Sequence, residues 1–262
     1  MKMPKIGLGT FRLKEQVVID SVLNGLELGY RHIDTAQIYG NEAEVGRAIK
    51  ESGIPRSELY ITTKIWTSNF SGNKLLTSLQ ESLEKLQIER LDMTLIHWPS
   101  PKDEVPVAEY MTALAKAQDQ GLTQEIGVSN FTIAHLRQAI AAVGAGRITN
   151  QQIEIHPFLQ NKSVVAFCQE NQIPVTAYMP LAYGKVMHDP VLQKIAGKHA
   201  TTPALISLAW LLQQGFTVIP SSTKREHLAN NLKAADITLS DEEMSAIAKL
   251  DINERIANPD FS

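Results

Sequence analysis

Two rhythms of apolar and polar positions alternate along this chain. Short runs rich in branched and aromatic residues read as strands at residues 5–8, 31–33, 59–63, 91–96, 125–128, 152–155, 173–177 and 216–219. Segments of helical period lie between them. In residues 71–87 the apolar set Leu75, Leu76, Leu79, Leu83 and Leu86 forms one stripe of an amphipathic helix. Thr202 and Pro203 suit the N-cap and first turn of another helix, reaching about Gln213. Ser240 reads as the cap of a last helix, residues 241–250, beyond the eighth unit. Strict alternation of this kind implies a parallel sheet with right-handed crossovers. Eight units within about 220 residues fit a closed (β/α)8 TIM barrel, an α/β fold filling one domain over residues 1–262. The alternative is an open doubly wound sheet with a glycine-rich first turn. In Gly7-Leu8-Gly9-Thr10-Phe11-Arg12 the third fingerprint glycine is replaced by Arg12, so that reading fails.

Composition narrows the class without adding a function. The 262 residues are 44% hydrophobic and 20% charged, as in an ordinary globular protein. A net charge of −3 provides no cationic excess for nucleic acid or anionic membrane. The lone Cys168 excludes an internal disulfide framework and a cysteine-based zinc cluster, and its place on an expected helix suggests a packed thiol. His32, His135, His156, His188 and His199 show no ligand spacing, so no metal is expected. Arg12, Lys14 and Glu15 interrupt the amino terminus before a signal-peptide core could form. Residues 200–223 carry no charge, yet Pro203, Gly215 and Pro220 break them and they do not read as a membrane span. A cytoplasmic protein without membrane or nucleic-acid partners is expected.

In a barrel, chemistry sits at the carboxyl ends of the strands. The second expected strand leads to Asp34, Thr35, Gln37 and Tyr39, the third to Lys64 and Trp66, and the fourth to His97 and Trp98. The fifth leads to Ser129 and Asn130. The sixth carries Gln151, Gln152 and Glu154, the seventh Tyr178, and the eighth opens onto residues 221–225. A carboxylate, a phenol, an ammonium and an imidazole thus arise on three consecutive strands. A nearby ammonium stabilises a phenolate, so Lys64 is expected to lower the Tyr39 pKa and make it a better acid. Asp34 would compensate the buried lysine, and His97 could donate to a carbonyl oxygen. This equipment protonates an oxyanion. No side chain supplies hydride, so a cofactor must.

The run Gly29-Tyr30-Arg31-His32-Ile33-Asp34-Thr35-Ala36-Gln37-Ile38-Tyr39-Gly40-Asn41-Glu42 resembles the first signature of the aldo-keto reductase family. Gly127-Val128-Ser129-Asn130-Phe131 is similar to the second, and Ile219-Pro220-Ser221-Ser222 to a variant of the third. The likeness extends from Gly7 to Asp251. Within the family, the run Ile219 to Arg225 and the short tail resemble the B-type bacterial 2,5-diketo-D-gluconate reductases.

That resemblance implies reduction of aldehydes and ketones by a monomer using NADPH, with diketogluconate, methylglyoxal or β-keto esters as candidate substrates. It implies Tyr39 as proton donor, Asp34 and Lys64 as its tuning pair, and His97 as substrate-orienting donor. Ser129, Asn130 and Gln152, chosen over Gln151, would hold the carboxamide, and Tyr178 would stack on the nicotinamide beside Pro180 and Leu181. Ser221, Ser222, Thr223, Lys224 and Arg225 would take the 2′-phosphate, with Asn231 near adenine. Ser221 stands where the family usually has lysine, and His227 where an arginine is common, which leaves Lys224 and Arg225 to supply the charge. Trp66, Trp98 and Phe11 would wall the substrate pocket. The abbreviated carboxyl end implies a more open site.

Plainer readings stand beside these. Ser129-Asn130 could cap the next helix, and Lys224-Arg225 could be a solvated helix start. Trp66 and Trp98 could be core. The whole barrel could be a nicotinamide-binding regulatory module with little turnover, or could use Lys64 for Schiff-base aldol chemistry.

Overall fold

Every one of the eight apolar runs becomes a parallel strand in a computed structural model, which describes residues 1–261. They are β1 (Leu8–Gly9), β2 (His32–Asp34), β3 (Tyr60–Ile65), β4 (Leu91–Ile96), β5 (Thr123–Ser129), β6 (Ile148–Glu154), β7 (Val175–Tyr178) and β8 (Thr217–Val218). Each pairs with the next in sequence. The ring closes where the Gly7 amide donates to the Val218 carbonyl at 2.8 Å and the Val218 amide to that of Lys5 at 2.9 Å. The result is a (β/α)8 barrel.

Close approach at the closing strands requires glycine. A Cβ on Gly7 would lie 2.5 Å from His32 Nδ1, and one on Gly9 2.6 Å from the Ile219 carbonyl oxygen. Only glycine lets the backbone come so near. Elsewhere the strands outrun their apolar signal. β2 reaches Asp34, β3 passes Lys64, and β5 reaches Ser129, because backbone pairing continues where the side chains have already turned polar.

Helices surround the barrel, beginning with α1 (Glu15–Leu28), α2 (Glu42–Ser52) and α3 (Lys74–Leu86). Leu75, Leu79, Leu83 and Leu86 of α3 are buried as their spacing required, and Leu76 is half-buried. α4 (Val107–Asp119), α5 (Ile133–Val143) and α6 (Lys162–Glu170) follow β4, β5 and β6. Strict alternation fails once: α7 (Pro190–Lys198) and α8 (Pro203–Gln213) both precede β8. The added helix has its own start signal, since the Asp189 side chain accepts from the Leu192 amide ahead of Pro190. Thr202 caps α8 as expected. Residues 205–211 of that helix are wholly buried, which accounts for their lack of charge. No helix among the described residues is long and apolar enough to cross a membrane.

After β8 come α9 (Arg225–Leu232) and α10 (Asp241–Ala248), whose Ser240 and Glu243 form a reciprocal capping box. The main core lies between strands and helices, while Tyr60, Met93 and Leu95 fill the barrel interior with Met3 beneath them. Cys168 is buried in α6, and burial pushes its thiol up to about 12, as befits a packed cysteine.

Candidate active site

A cavity of about 890 Å³ opens at the carboxyl ends of the strands. Three elements bring its floor together. Asp34 ends β2, Lys64 lies inside β3, and Tyr39 closes a short 3-10 turn, Gln37–Tyr39, that follows β2. Lys64 and Asp34 are each 1% exposed and joined by a short ion pair. The Lys64 ammonium also donates to the Thr35 carbonyl at 3.0 Å and to the Tyr39 hydroxyl at 3.3 Å. Asp34 spends its other oxygen on the Gln152 amide at 2.8 Å. This buried charge pair is therefore fully bonded, as its desolvation demands.

Electrostatics correct one expectation. Burial raises the Tyr39 phenol above its ordinary value and outweighs the opposing pull of Lys64, so the expected lowering does not occur here. Burial also opposes the Lys64 charge, but Asp34 and Tyr39 overcome it and hold the ammonium above its ordinary value. His97, whose ring meets Tyr39 edge-on at 5.7 Å, is pushed well below its ordinary value by burial and then by Lys64. At neutral pH the floor thus holds a neutral phenol, an ammonium and a neutral imidazole. His97 Nδ1 is buried without a partner among the described residues.

A second polar group forms the adjoining wall. Ser129 Oγ donates to the Gln152 carbonyl at 2.7 Å, and Asn130 Nδ2 donates to the His97 carbonyl at 3.1 Å. The Tyr178 hydroxyl donates to Asn130 Oδ1 at 2.7 Å. Asn130 adopts a left-handed φ of 60°, strain that leaves its amide aimed at the strand ends. The helix-cap reading fails, because Thr132 caps α5. Gln151 bonds the Phe131 backbone, while Gln152 lines the cavity. Pro180, Leu181 and Ser221 also line it.

The remaining expected residues divide. Phe11, Trp66 and Trp98 are cavity walls, with Phe11 5.2 Å from the Tyr39 ring and Trp66 5.3 Å from that of His97. Ser222, Thr223, Lys224 and Arg225 lie outside the lining, and Asn231 is buried in α9. Arg225 turns to α1, donating to Glu27 at 2.7 Å and Asn24 at 3.0 Å. Lys224 precedes α9 with its ammonium exposed, as a solvated helix start would.

Several wall residues escaped the sequence. The Arg12 guanidinium sits 5.1 Å from the Phe11 ring and 5.0 Å from that of Tyr183, and all three line the cavity. Gln37 Oε1 accepts from the Trp66 amide at 2.9 Å and so sets that wall, a role its place after β2 hinted at. The tail departs most from expectation. Instead of leaving the site open, Ile256, Ala257, Asn258 and Pro259 line it, and Phe261 meets Trp66 at 5.6 Å and Trp98 at 5.8 Å. Nothing in the tail's composition signals this; only the fold returns it to the strand ends.

Comparison with known proteins agrees with this architecture. The Aldo/keto reductase family matches residues 5–252. A methylglyoxal reductase DkgB of Escherichia coli O157:H7 is 59% identical over 260 residues, spanning 99% of this chain and 97% of the relative. A 9,11-endoperoxide prostaglandin H2 reductase of Trypanosoma cruzi is 38% identical over 265 residues, spanning 99% and 92%. A crystal structure with the provisional name 2,5-diketo-D-gluconic acid reductase B superposes with a TM-score of 0.95 at 39% identity, covering 99% of this chain and 92% of that one. An aldo-keto reductase from a deep-sea metagenome, MGS-M4, gives 0.94 at 38% identity, covering 98% and 95%. With the barrel, the floor and these likenesses in agreement, the chain belongs to the aldo/keto reductase family, and is an oxidoreductase that reduces carbonyl groups in a family that works with a nicotinamide cofactor.

Proposed function

We propose that the protein is an NADPH-dependent reductase of small reactive carbonyls, in which Tyr39 gives the proton and His97 orients the oxygen. The observation that carries this is the Tyr39 hydroxyl, 3.3 Å from a lysine that is itself bonded to Asp34, at the floor of a large cavity. When bound, NADPH supplies hydride to the carbonyl carbon. The protein's own groups manage the oxygen. A phenol held above its ordinary pKa is fully protonated at pH 7 and keeps its proton until negative charge develops on the substrate. Lys64 then stabilises the phenolate left behind, and Asp34 keeps Lys64 charged. An orphaned buried N–H is rarer than an orphaned acceptor, so the neutral His97 ring carries its proton on Nε2 and offers that N–H to the carbonyl oxygen.

The donor set suits a nicotinamide carboxamide. Gln152 uses its amide N–H on Asp34, leaving Oε1 to accept. Ser129 and Asn130 stand beside it, their donors engaged with the Gln152 and His97 carbonyls and with each other until a carboxamide replaces those bonds. Tyr178, tethered through its hydroxyl, would offer its ring to the nicotinamide, with Pro180 and Leu181 alongside. Ser221 lines the cavity without bringing charge. The 2′-phosphate would therefore rest on Lys224 at the start of α9, near Ser222 and Thr223, with Arg225 recruited from Glu27 and Asn231 below adenine. Methylglyoxal is the first substrate to try, given the relatives named for it, followed by 2,5-diketo-D-gluconate and a β-keto ester. In this reading the enzyme acts as a cytoplasmic monomer.

Initial rates with NADPH and NADH run in parallel against those carbonyls provide the test. Turnover favouring NADPH supports the reading. NADPH binding with no turnover on any carbonyl would return the protein to a regulatory role.

A further inference from the structure

Glu154 is a buried carboxylate that the carbonyl chemistry does not use. It stands two residues beyond Gln152 on β6, hence on the same face, and pairs in register with Tyr178. Among the described residues it has no lysine or arginine partner. Instead the Ile256 amide donates to Oε1 at 2.7 Å and the Ala257 amide to Oε2 at 2.8 Å. His156 Nε2 lies 2.8 Å from Oε1, and its Nδ1 accepts from the Phe158 amide, so the Nε2 proton points at the carboxylate. Three N–H donors together replace the water this carboxylate lost on burial.

Those bonds end a longer anchorage. The Phe158 carbonyl accepts from the amides of Ile252 at 3.2 Å and Glu254 at 2.9 Å, so four amides of the tail meet one corner of the barrel. The cavity wall is built where the anchorage stops. Ile256 to Pro259 line the cavity, and Phe261 packs edge-on against Trp66 and Trp98. A chain end held for stability alone has no need to be fixed at the residues that face substrate.

We propose that Glu154 is a positioning residue for substrate selection: its carboxylate sets the tail so that Asn258, Pro259 and Phe261 form the wall that receives the distal part of larger carbonyl substrates. This rests on the reductase reading of the cavity. Glu154 itself does not touch the reacting atoms, so carbonyls too small to reach the wall are indifferent to it.

Glu154→Gln turns one acceptor into a donor facing an amide and loses one of the two tail bonds. For a naphthyl aldehyde kcat/KM should fall about tenfold, the factor of one hydrogen bond to a charged acceptor, with the loss carried by KM. Methylglyoxal turnover and the Kd for NADPH should stay within about twofold. In the Phe261→Ala background, Glu154→Gln should add little, because both act through one wall. Equal losses on the two aldehydes, no loss on either, or full additivity would overturn the proposal. If Glu154→Gln does not fold, Phe261→Ala alone removes the outer ring of the wall while leaving Glu154 and its amide donors in place. That variant's naphthyl-to-methylglyoxal ratio should fall at least as far, and an unchanged ratio also overturns the proposal. Failure of the unaltered chain to reduce any carbonyl would instead defeat the reductase reading.

Discussion

The two ends of the barrel are made of the same strands and obey opposite rules. At the amino end, Met3 packs beneath Tyr60, Met93 and Leu95, and the titratable groups find partners, while Asn150 Oδ1 beside Met3 has none among the described residues. Tyr60 donates to Glu125 at 3.0 Å, and His32 Nδ1 lies 3.3 Å from the Pro4 carbonyl oxygen. At the carboxyl end, two residues farther along β2, Asp34 enters a charge pair sealed from water, and His97 Nδ1 has no partner among the described residues. Both histidines are buried and both are pushed below their ordinary values by burial. Access distinguishes them. His32 packs against Gly7 and Tyr60, whereas His97 lines the cavity, and only a group that faces a cavity is available for chemistry.

The largest expected effect separates the ends outright. Tyr39→Phe should cut kcat by about a hundred- to ten-thousand-fold, the usual contribution of a positioned acid, with NADPH affinity kept in a fluorescence titration. A near-normal rate would mean that the floor geometry has been misread. Met93→Ala should do the reverse. It empties a fully buried site at the amino end, and urea unfolding should show a loss of about 2–5 kcal/mol with kcat per folded molecule unchanged.

Acid should affect both ends together. The folded pKa values of His32 and His97 are depressed, so below about pH 6.5 the unfolded chain takes up protons that the native one refuses. From these two histidines, stability should therefore fall as pH falls, by about 1.4 kcal/mol per unit for each, and recover as pH rises. His32→Gln should flatten that slope in a series of unfolding curves without altering rates near pH 7. The smallest effect lies at the rim. The Arg225–Glu27 pair is exposed, so Arg225→Ala should cost at most about 1 kcal/mol of stability. If phosphate recruits Arg225, the KM for NADPH should rise while that for NADH holds. Lys224→Ala should raise it further.

Much of the site could be read from sequence because its members stand at strand ends, where order along the chain becomes position around the barrel. Asp34, Lys64, His97 and Gln152 come together at the floor for that reason. The ion pair of Arg225 could not be read from the sequence, since Glu27 lies on a helix nearly two hundred residues earlier. Glu154 was visible on its strand beside His156, but the tail amides that hold it stand 102 and 103 residues away, in a tail with no motif.

Periodicity, caps and the order of the elements are local properties, written in spacings of two to four residues, and the sequence alone determined them: eight strands, the α3 stripe, the Thr202 and Ser240 caps. Closure at Gly7 and Gly9, the raised Tyr39 phenol and the tail folded over Trp66 and Trp98 depend on desolvation and contact between distant segments. Those were decided only by the tertiary structure, because a group's energy depends on everything packed around it and the chain's order specifies only its nearest neighbours.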